Sequence, residues 1–259
     1  AIGGELRYFK DQKTLFSLID YDISYDELNT FLMVGSWTTE SNQTFNVSFN
    51  YRNSPILTTT NAIISQGVDE LAELLATGVT EDEARRLAED RTAESRSFSI
   101  GMVQPINDQF QLSGDITISD FSSTPASGGV DATEGTDTEV SYFIQGIGSD
   151  LIKPGDISIL GFRYSDLTDS QRFNMSLNTR YPVSQELRIN PRLQMEYRMN
   201  DGDDSDQWIF RPSFRLDYRF TRRARFELEV GGEWSSRELN DTTTDTKSYF
   251  IFFGYRYDF

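Results

Sequence analysis

The 259 residues carry 24 Lys and Arg against 41 Asp and Glu, a formal net charge of -17 at a pI near 4.4, and no cysteine or histidine. So acidic a chain lacks the basic footprint that nucleic acid requires, and without cysteine there is no disulfide, thiolate nucleophile or Cys-held metal. Hydrophobic residues make up 37% at a mean hydropathy of -0.50, yet 13% are aromatic, and no run approaches the ~20 apolar residues of a membrane helix. Low mean hydropathy with alternating segments fits a membrane β-barrel, where only every second residue meets lipid. A soluble β-sandwich or barrel has the same average.

The chain opens at Ala1 with neither a basic nor an apolar leader segment, which reads as a processed chain or a piece of a longer one. The first strands are predicted near Gly3–Lys10, Thr14–Ser24, Asn29–Thr39 and Gln43–Arg52. In the fourth, Phe45, Val47, Phe49 and Tyr51 alternate with Thr44, Asn46, Ser48 and Asn50, the pattern of a half-polar strand. Asp11-Gln12 and Glu40-Ser41-Asn42 are short enough to be hairpin turns.

From Ser54 to Glu94 the period becomes helical. Thr80 followed by Glu83 reads as a capping box, and Gly78 as the stop to the preceding helix. About forty residues of helix between two strands is no turn. It is a surface cap, a plug in the barrel or a partner-binding element. Leu71, Leu74, Leu75 and Leu87 can form a docking face, or can pack on the barrel rim or against one another.

Strands resume near Ser97–Pro105, Phe110–Asp120, Glu139–Gly148, Ile157–Ser165, Arg172–Tyr181, Glu186–Met199, Trp208–Phe220, Arg225–Ser235 and Lys247–Phe259. Ala224, Phe226, Leu228, Val230, Gly232 and Trp234 form one face, against Arg225, Glu227, Glu229, Gly231 and Glu233 on the other. The last five strands exceed the usual five or six residues of globular sheets and match the ~9–11 of a tilted membrane-spanning strand. Length therefore favours the membrane barrel. Connections after alternate strands are short, at Asn107-Asp108, Pro182-Val183-Ser184 and Thr221-Arg222-Arg223. Those between are expected to be longer, at Ser122–Asp137, Asp201–Asp206 and Glu238–Asp245. Outer-membrane barrels have tight periplasmic turns and longer extracellular loops, so the end of the last strand is expected at the periplasmic rim. Closed bacterial barrels almost always have an even strand number; a count of about thirteen here implies a strand missed, split or lying upstream.

In the terminal stretch Tyr249, Ile251, Phe253, Tyr255, Tyr257 and Phe259 share one face, and Ser248, Phe250, Phe252, Gly254, Arg256 and Asp258 the other. These residues resemble the Gram-negative outer-membrane β-barrel family. The resemblance implies that a C-terminal strand of this form, ending in Phe, is recognised by the barrel-assembly machinery. As a motif it covers the last strand, while the hairpin rhythm covers most of the chain. The 54–94 insertion departs from a simple porin and resembles the C-terminal barrel of a larger envelope protein. The phospholipase, omptin-like and lipid A acyl-modifying barrels of this family rely on histidine, so its absence here argues against an enzyme of that kind.

The polar rows carry Arg188, Arg192, Arg198, Arg211, Arg215, Arg219 and Arg225 with Glu227 and Glu229, beside Arg163, Arg172, Arg180 and Arg256 and the acids Glu186, Glu196, Asp217 and Glu233. In a lumen, fixed rows of charge set the field for ions or a polar solute. Alternatively they pair across strands and fill a narrow barrel. Asp201-Gly202-Asp203-Asp204-Ser205-Asp206 lacks the order and the later Glu of an EF-hand loop and reads as a solvated hairpin loop rather than a calcium site. Trp37, Trp208 and Trp234 suit interfacial girdles or ordinary strand positions.

The expectation is an all-β, antiparallel up-and-down transmembrane β-barrel of about 12–14 strands spanning residues 1–259, with 54–94 as a helical insertion. It is expected in the bacterial outer membrane, without metal, cofactor or catalytic site. Its partners are the lipid bilayer, the assembly machinery and other envelope proteins. Two roles follow: a porin-like or export conduit for ions, small polar solutes or a polymer, or a non-conducting anchor for a larger envelope assembly.

Overall fold

The structure, a computed structural model, describes residues 1–257. The terminal Phe259 of the expected assembly signal lies outside the described residues.

Thirteen strands follow one another: β1 (Ile2–Lys10), β2 (Lys13–Asp22), β3 (Glu27–Thr38), β4 (Thr44–Ser54), β5 (Ala93–Pro105), β6 (Phe110–Phe121), β7 (Glu139–Ser149), β8 (Ile157–Leu167), β9 (Ser170–Pro182), β10 (Leu187–Asn200), β11 (Ser205–Arg219), β12 (Ala224–Leu239) and β13 (Thr242–Tyr257). The strand order in the sheet is the chain order, from β1 to β13, so the topology is an up-and-down meander. The chain divides into two compact units, Ala1–Gly101 with Thr117–Val140, and Met102–Ile116 with Ser141 onward. No helix among the described residues is long and apolar enough to cross a membrane.

The strands form where period two predicts them, but the later ones outrun the prediction. β12 and β13 are 16 residues each. The connection expected at Glu238–Asp245 is a two-residue turn, Asn240-Asp241, with φ of 49° and 61°. Asn and Asp tolerate the left-handed backbone of a tight hairpin, and the threonines at 242–244 continue the strand because β-branched residues suit the pleat. Likewise β11 starts at Ser205 rather than Trp208, leaving a four-residue turn. Two of the three connections expected to be long are therefore short. Only the β6–β7 loop keeps its predicted length.

In the first unit Leu15, Ile19, Phe31, Met33, Trp37, Phe45, Val47, Phe49 and Tyr51 fall on one face by register. The reverse face is more apolar than a purely polar lining: Phe16 opposes Val34, and Leu18 opposes Leu32. Between β4 and β5 lies the insertion, with a 3-10 turn (Thr59–Ile63), α1 (Leu71–Ala76) and α2 (Glu81–Asp90). Its helices are shorter than the helical period suggested, but their boundaries are the expected ones. Gly78 takes φ 101°. The Thr80 hydroxyl accepts from the Glu83 N–H at 3.3 Å, and the Glu83 carboxylate accepts from the Thr80 N–H at 2.9 Å.

Leu57, Ala62, Leu74, Ala84 and Ala88 are buried in a core of the insertion's own, with Leu71, Leu75 and Leu87 packed against it. The four leucines thus turn inward on one another. Tyr25, from the β2–β3 turn, joins this core and donates to the Thr59 hydroxyl at 2.9 Å. On the other flank Arg91 donates to the carbonyl of Ala62 and, at 3.5 Å, to that of Gly128 in the β6–β7 loop. A Cβ at Gly128 would stand 2.5 Å from the Arg91 guanidinium and 2.7 Å from Leu87, so glycine is what lets the loop lie against the insertion.

In the second unit the β7–β8 connection is built around Asp156, only 2% exposed. Its carboxylate accepts from the N–H groups of Leu151 (2.8 Å), Ile152 (2.8 Å) and Lys153 (3.0 Å). Burial pushes this carboxyl upward, but the surrounding N–H groups outweigh it and hold Asp156 below its ordinary range. With a depressed folded pKa, the stability it lends this turn is complete above the unfolded value of about 3.9 and is lost as pH falls through the folded value. Protection of the Leu151–Lys153 amides, measured as exchange relative to the intrinsic rate at each pH, should therefore stay high at pH 5 and fall only below about pH 4. Asp156→Asn should show low protection already at pH 5, with no such fall.

Candidate functional site

The register of the second unit sorts side chains by sign and polarity. From β9 to β13, pairs such as Arg192↔Asn178, Arg188↔Asp217, Arg215↔Glu229 and Glu229↔Phe252 align on one face. The other face brings together Tyr197↔Phe173, Tyr197↔Trp208, Leu216↔Leu228 and Leu228↔Phe253. A slip of one residue in any pair would exchange the faces.

The charged face forms a cross-strand ladder. Arg215 Nη2 lies 3.0 Å from Asp217 Oδ1 and 3.0 Å from Glu227 Oε1. Arg211 Nε lies 2.5 Å from Glu233 Oε2, with its Nη1 3.9 Å from Glu196, and Arg192 Nη1 lies 3.7 Å from Glu229. Asn190 Nδ2 donates to Asp217 Oδ2 at 2.9 Å. The Arg211 side chain is 41% exposed, so its pairs are screened and worth on the order of 0.2–1 kcal/mol each.

Of the charges singled out from the sequence, Arg192, Arg211, Arg215, Glu227 and Glu229 meet in this ladder. Arg188, Arg219 and Arg225 gather nearer the 183–186 and 220–223 turns, lining one depression with Arg215 and Asp217. Arg198 stands apart, opposite Arg172, with its Nε buried and unpartnered among the described residues. Alternation places Asn190 on the same row, between Arg188 and Arg192, though not among the charges singled out.

The reverse face is apolar and open. Phe162, Trp208, Phe214, Val230, Ile251 and Phe253 are all exposed, Ile251 to 75%. Aromatic rings form two rows across it. One runs Tyr142–Tyr164–Phe173–Tyr197–Trp208, with successive centroids 6.3, 4.7, 6.4 and 4.5 Å apart, and the same end carries Phe210–Trp234 (5.5 Å) and Trp234–Tyr249 (5.8 Å). The second runs Tyr218–Phe220–Phe226–Phe253 at 4.6, 6.4 and 4.5 Å, near the 220–223 turn. On β12 the rows sit at Phe226 and Trp234, roughly 26 Å apart along the strand at about 3.3 Å per residue. A strand tilt of about 35–45° reduces that to roughly 20 Å. Trp208 and Trp234 thus belong to one row; in the first unit Trp37, with Phe45 at 5.7 Å, lies at the β3–β4 turn.

Two rings occupy the charged face of β13. Phe250 lies over Gly231, where a Cβ would come within 2.6 Å of the ring and 2.9 Å of Ser213 Cβ, and Phe252 lies by Gly254. Among the described residues no cluster of His, Cys, Asp or Glu could hold a metal ion.

No family model matches the chain, and no curated protein matches it. Solved structures align over most of its length. OmpT of Vibrio cholerae expressed in the outer membrane shares 10% identity at a TM-score of 0.42, covering 97% of this chain and 99% of its own. The in-vitro folded OmpT of the same organism gives 12% and 0.39, covering 98% and 88%. KdgM porin in complex with disordered oligogalacturonate gives 11% and 0.32, covering 89% and 92%.

The close approach of Phe250 to Gly231 gives a test of the register. Gly231→Val should lower stability by about 1–3 kcal/mol through overpacking, read from the urea midpoint of the protein folded in lipid vesicles. Gly146→Val, at a site with nothing within 4 Å, should leave the midpoint almost unchanged.

Proposed function

We propose that this chain is an outer-membrane β-barrel whose charged face lines a conduit for ions or small polar solutes. The observation that carries the reading is the pair of aromatic rows bounding an exposed apolar band, backed by a charged ladder on the same strands. Exposed apolar surface of this extent is rare on a soluble monomer. Aromatic girdles about an apolar band roughly 25 Å tall are what a spanning barrel presents to lipid, with polar residues on the inward face. Antiparallel ladders satisfy the backbone within lipid only when the sheet's edges are also paired, so closure of the meander is part of the proposal.

The ladder also supports a second reading. Arg211 and Arg215 are within reach of carboxylates on neighbouring strands and Arg192 of one two strands away, and such pairs can fill a narrow lumen. The barrel would then be an anchor or scaffold for a larger envelope assembly, with residues 54–94 as its cap. Single-channel recording in planar bilayers separates the two. Folded protein, verified by heat-dependent gel mobility, should give discrete steps of conductance. Folded, inserted protein that never conducts would eliminate the conduit and leave the anchor.

A further inference from the structure

The arginines of the second unit are not evenly compensated. Two adjoining depressions share Arg188, Arg215 and Asp217. The larger, of about 370 Å³, adds Arg180 and Arg192; the smaller, of about 170 Å³, adds Arg219, Arg225 and Glu186. From β12, Glu229 approaches Arg192 two strands away and Glu227 approaches Arg215 on the neighbouring strand. Counting these, six arginines face four carboxylates, in a chain whose net charge is -17.

The excess is concentrated at the end of the 183–186 and 220–223 turns. Arg188 has Arg180, Arg219 and Arg225 as like-charged neighbours and Asp217 as its carboxylate neighbour. Asp217 is already engaged by Arg215 at 3.0 Å and by Asn190 at 2.9 Å. Arg180, Arg188 and Arg225 have no ion pair within 4 Å among the described residues, and all three are exposed to solvent. Arg219 donates to the Gln185 carbonyl at 3.0 Å, which orients the guanidinium without neutralising it.

We propose that this cluster is a binding site for small multivalent oxyanions, with polycarboxylates as the preferred class. A guanidinium offers a planar fork of donors that matches a carboxylate bidentately and stays charged at any working pH. Several forks around one depression favour a ligand with more than one carboxylate, since each added group is bound without a further loss of translational freedom. The bound ligand would also relieve the repulsion among the arginines, which Asp217, Glu227 and Glu229, already engaged by Arg215 and Arg192, and Glu186 at the rim do only in part. Taken with the conduit reading, the cluster would make the mouth at the 183–186 and 220–223 turns selective for anions.

The test is calorimetric titration of the folded protein in non-ionic detergent with citrate, at constant ionic strength maintained with chloride. Saturable binding is expected, weakened at least about tenfold in Arg188→Gln and in Arg225→Gln, each of which removes one charge-assisted contact. Glutamine keeps much of the arginine stem, and heat-dependent gel mobility confirms that each variant is folded. No saturable heat with the unaltered protein, or a citrate affinity in both folded variants equal to that of the unaltered protein, would overturn the site. The outcome is separable from that of the conduit. Binding without conductance removes the conduit and keeps the site; conductance without binding does the reverse.

Discussion

The alternation of side chains along antiparallel strands is the constraint on which the other features depend. Because successive residues point to opposite faces, one register places Trp208, Phe214, Leu228 and Ile251 on a common surface and Arg192, Arg215, Glu227 and Glu229 on its reverse. Neither face alone decides the solvent. Together they do: the apolar side carries aromatic rows at two levels, while the charged side pairs across strands at Arg192, Arg211 and Arg215 and stays exposed at Arg180, Arg188 and Arg225. The ladder hydrogen bonds that hold this register also make the strands compatible with lipid, where an unsatisfied backbone group costs several kcal/mol.

The insertion obeys a different physics. Its stability comes from Leu57, Leu74 and three alanines closed into a small core, the largest group of buried apolar residues in the chain. Tyr25 on one side and Gly128 on the other tie it to the β2–β3 turn and the β6–β7 loop. Both connections lie at the end of the strands from which the insertion itself emerges, as an up-and-down order requires. These contacts hold the insertion at that end, while Leu71, Leu74, Leu75 and Leu87 pack into its own core.

Much of this was legible in the residues because period two is a strong signal over long strands. The strand number and both faces of β10, β12 and β13 could be read directly. So could the capping box, whose partners Thr80 and Glu83 are only three residues apart. Loop lengths were not legible at Glu238–Asp245, where acidic and small residues conceal threonines that pair as strand. The detail of the charge ladder was not legible either. Alternation assigns Arg215 to a face, but only the inter-strand register decides that it meets Asp217 and Glu227 while Arg188 is left with like-charged neighbours. The role of Gly128 depends on contacts with residues more than thirty positions away, and no local pattern announces it.

The central claim is that lipid covers the apolar face. Fluorescence quenching by lipids brominated at graded depths, with the protein reconstituted in bilayers, tests it most directly. Trp208 and Trp234 share one aromatic row, so their emission should be strongly quenched, most of all by bromines near the headgroup end of the acyl chain. Emission unaffected by bromine at any depth, from protein that is folded and bound to the vesicles, would contradict the account.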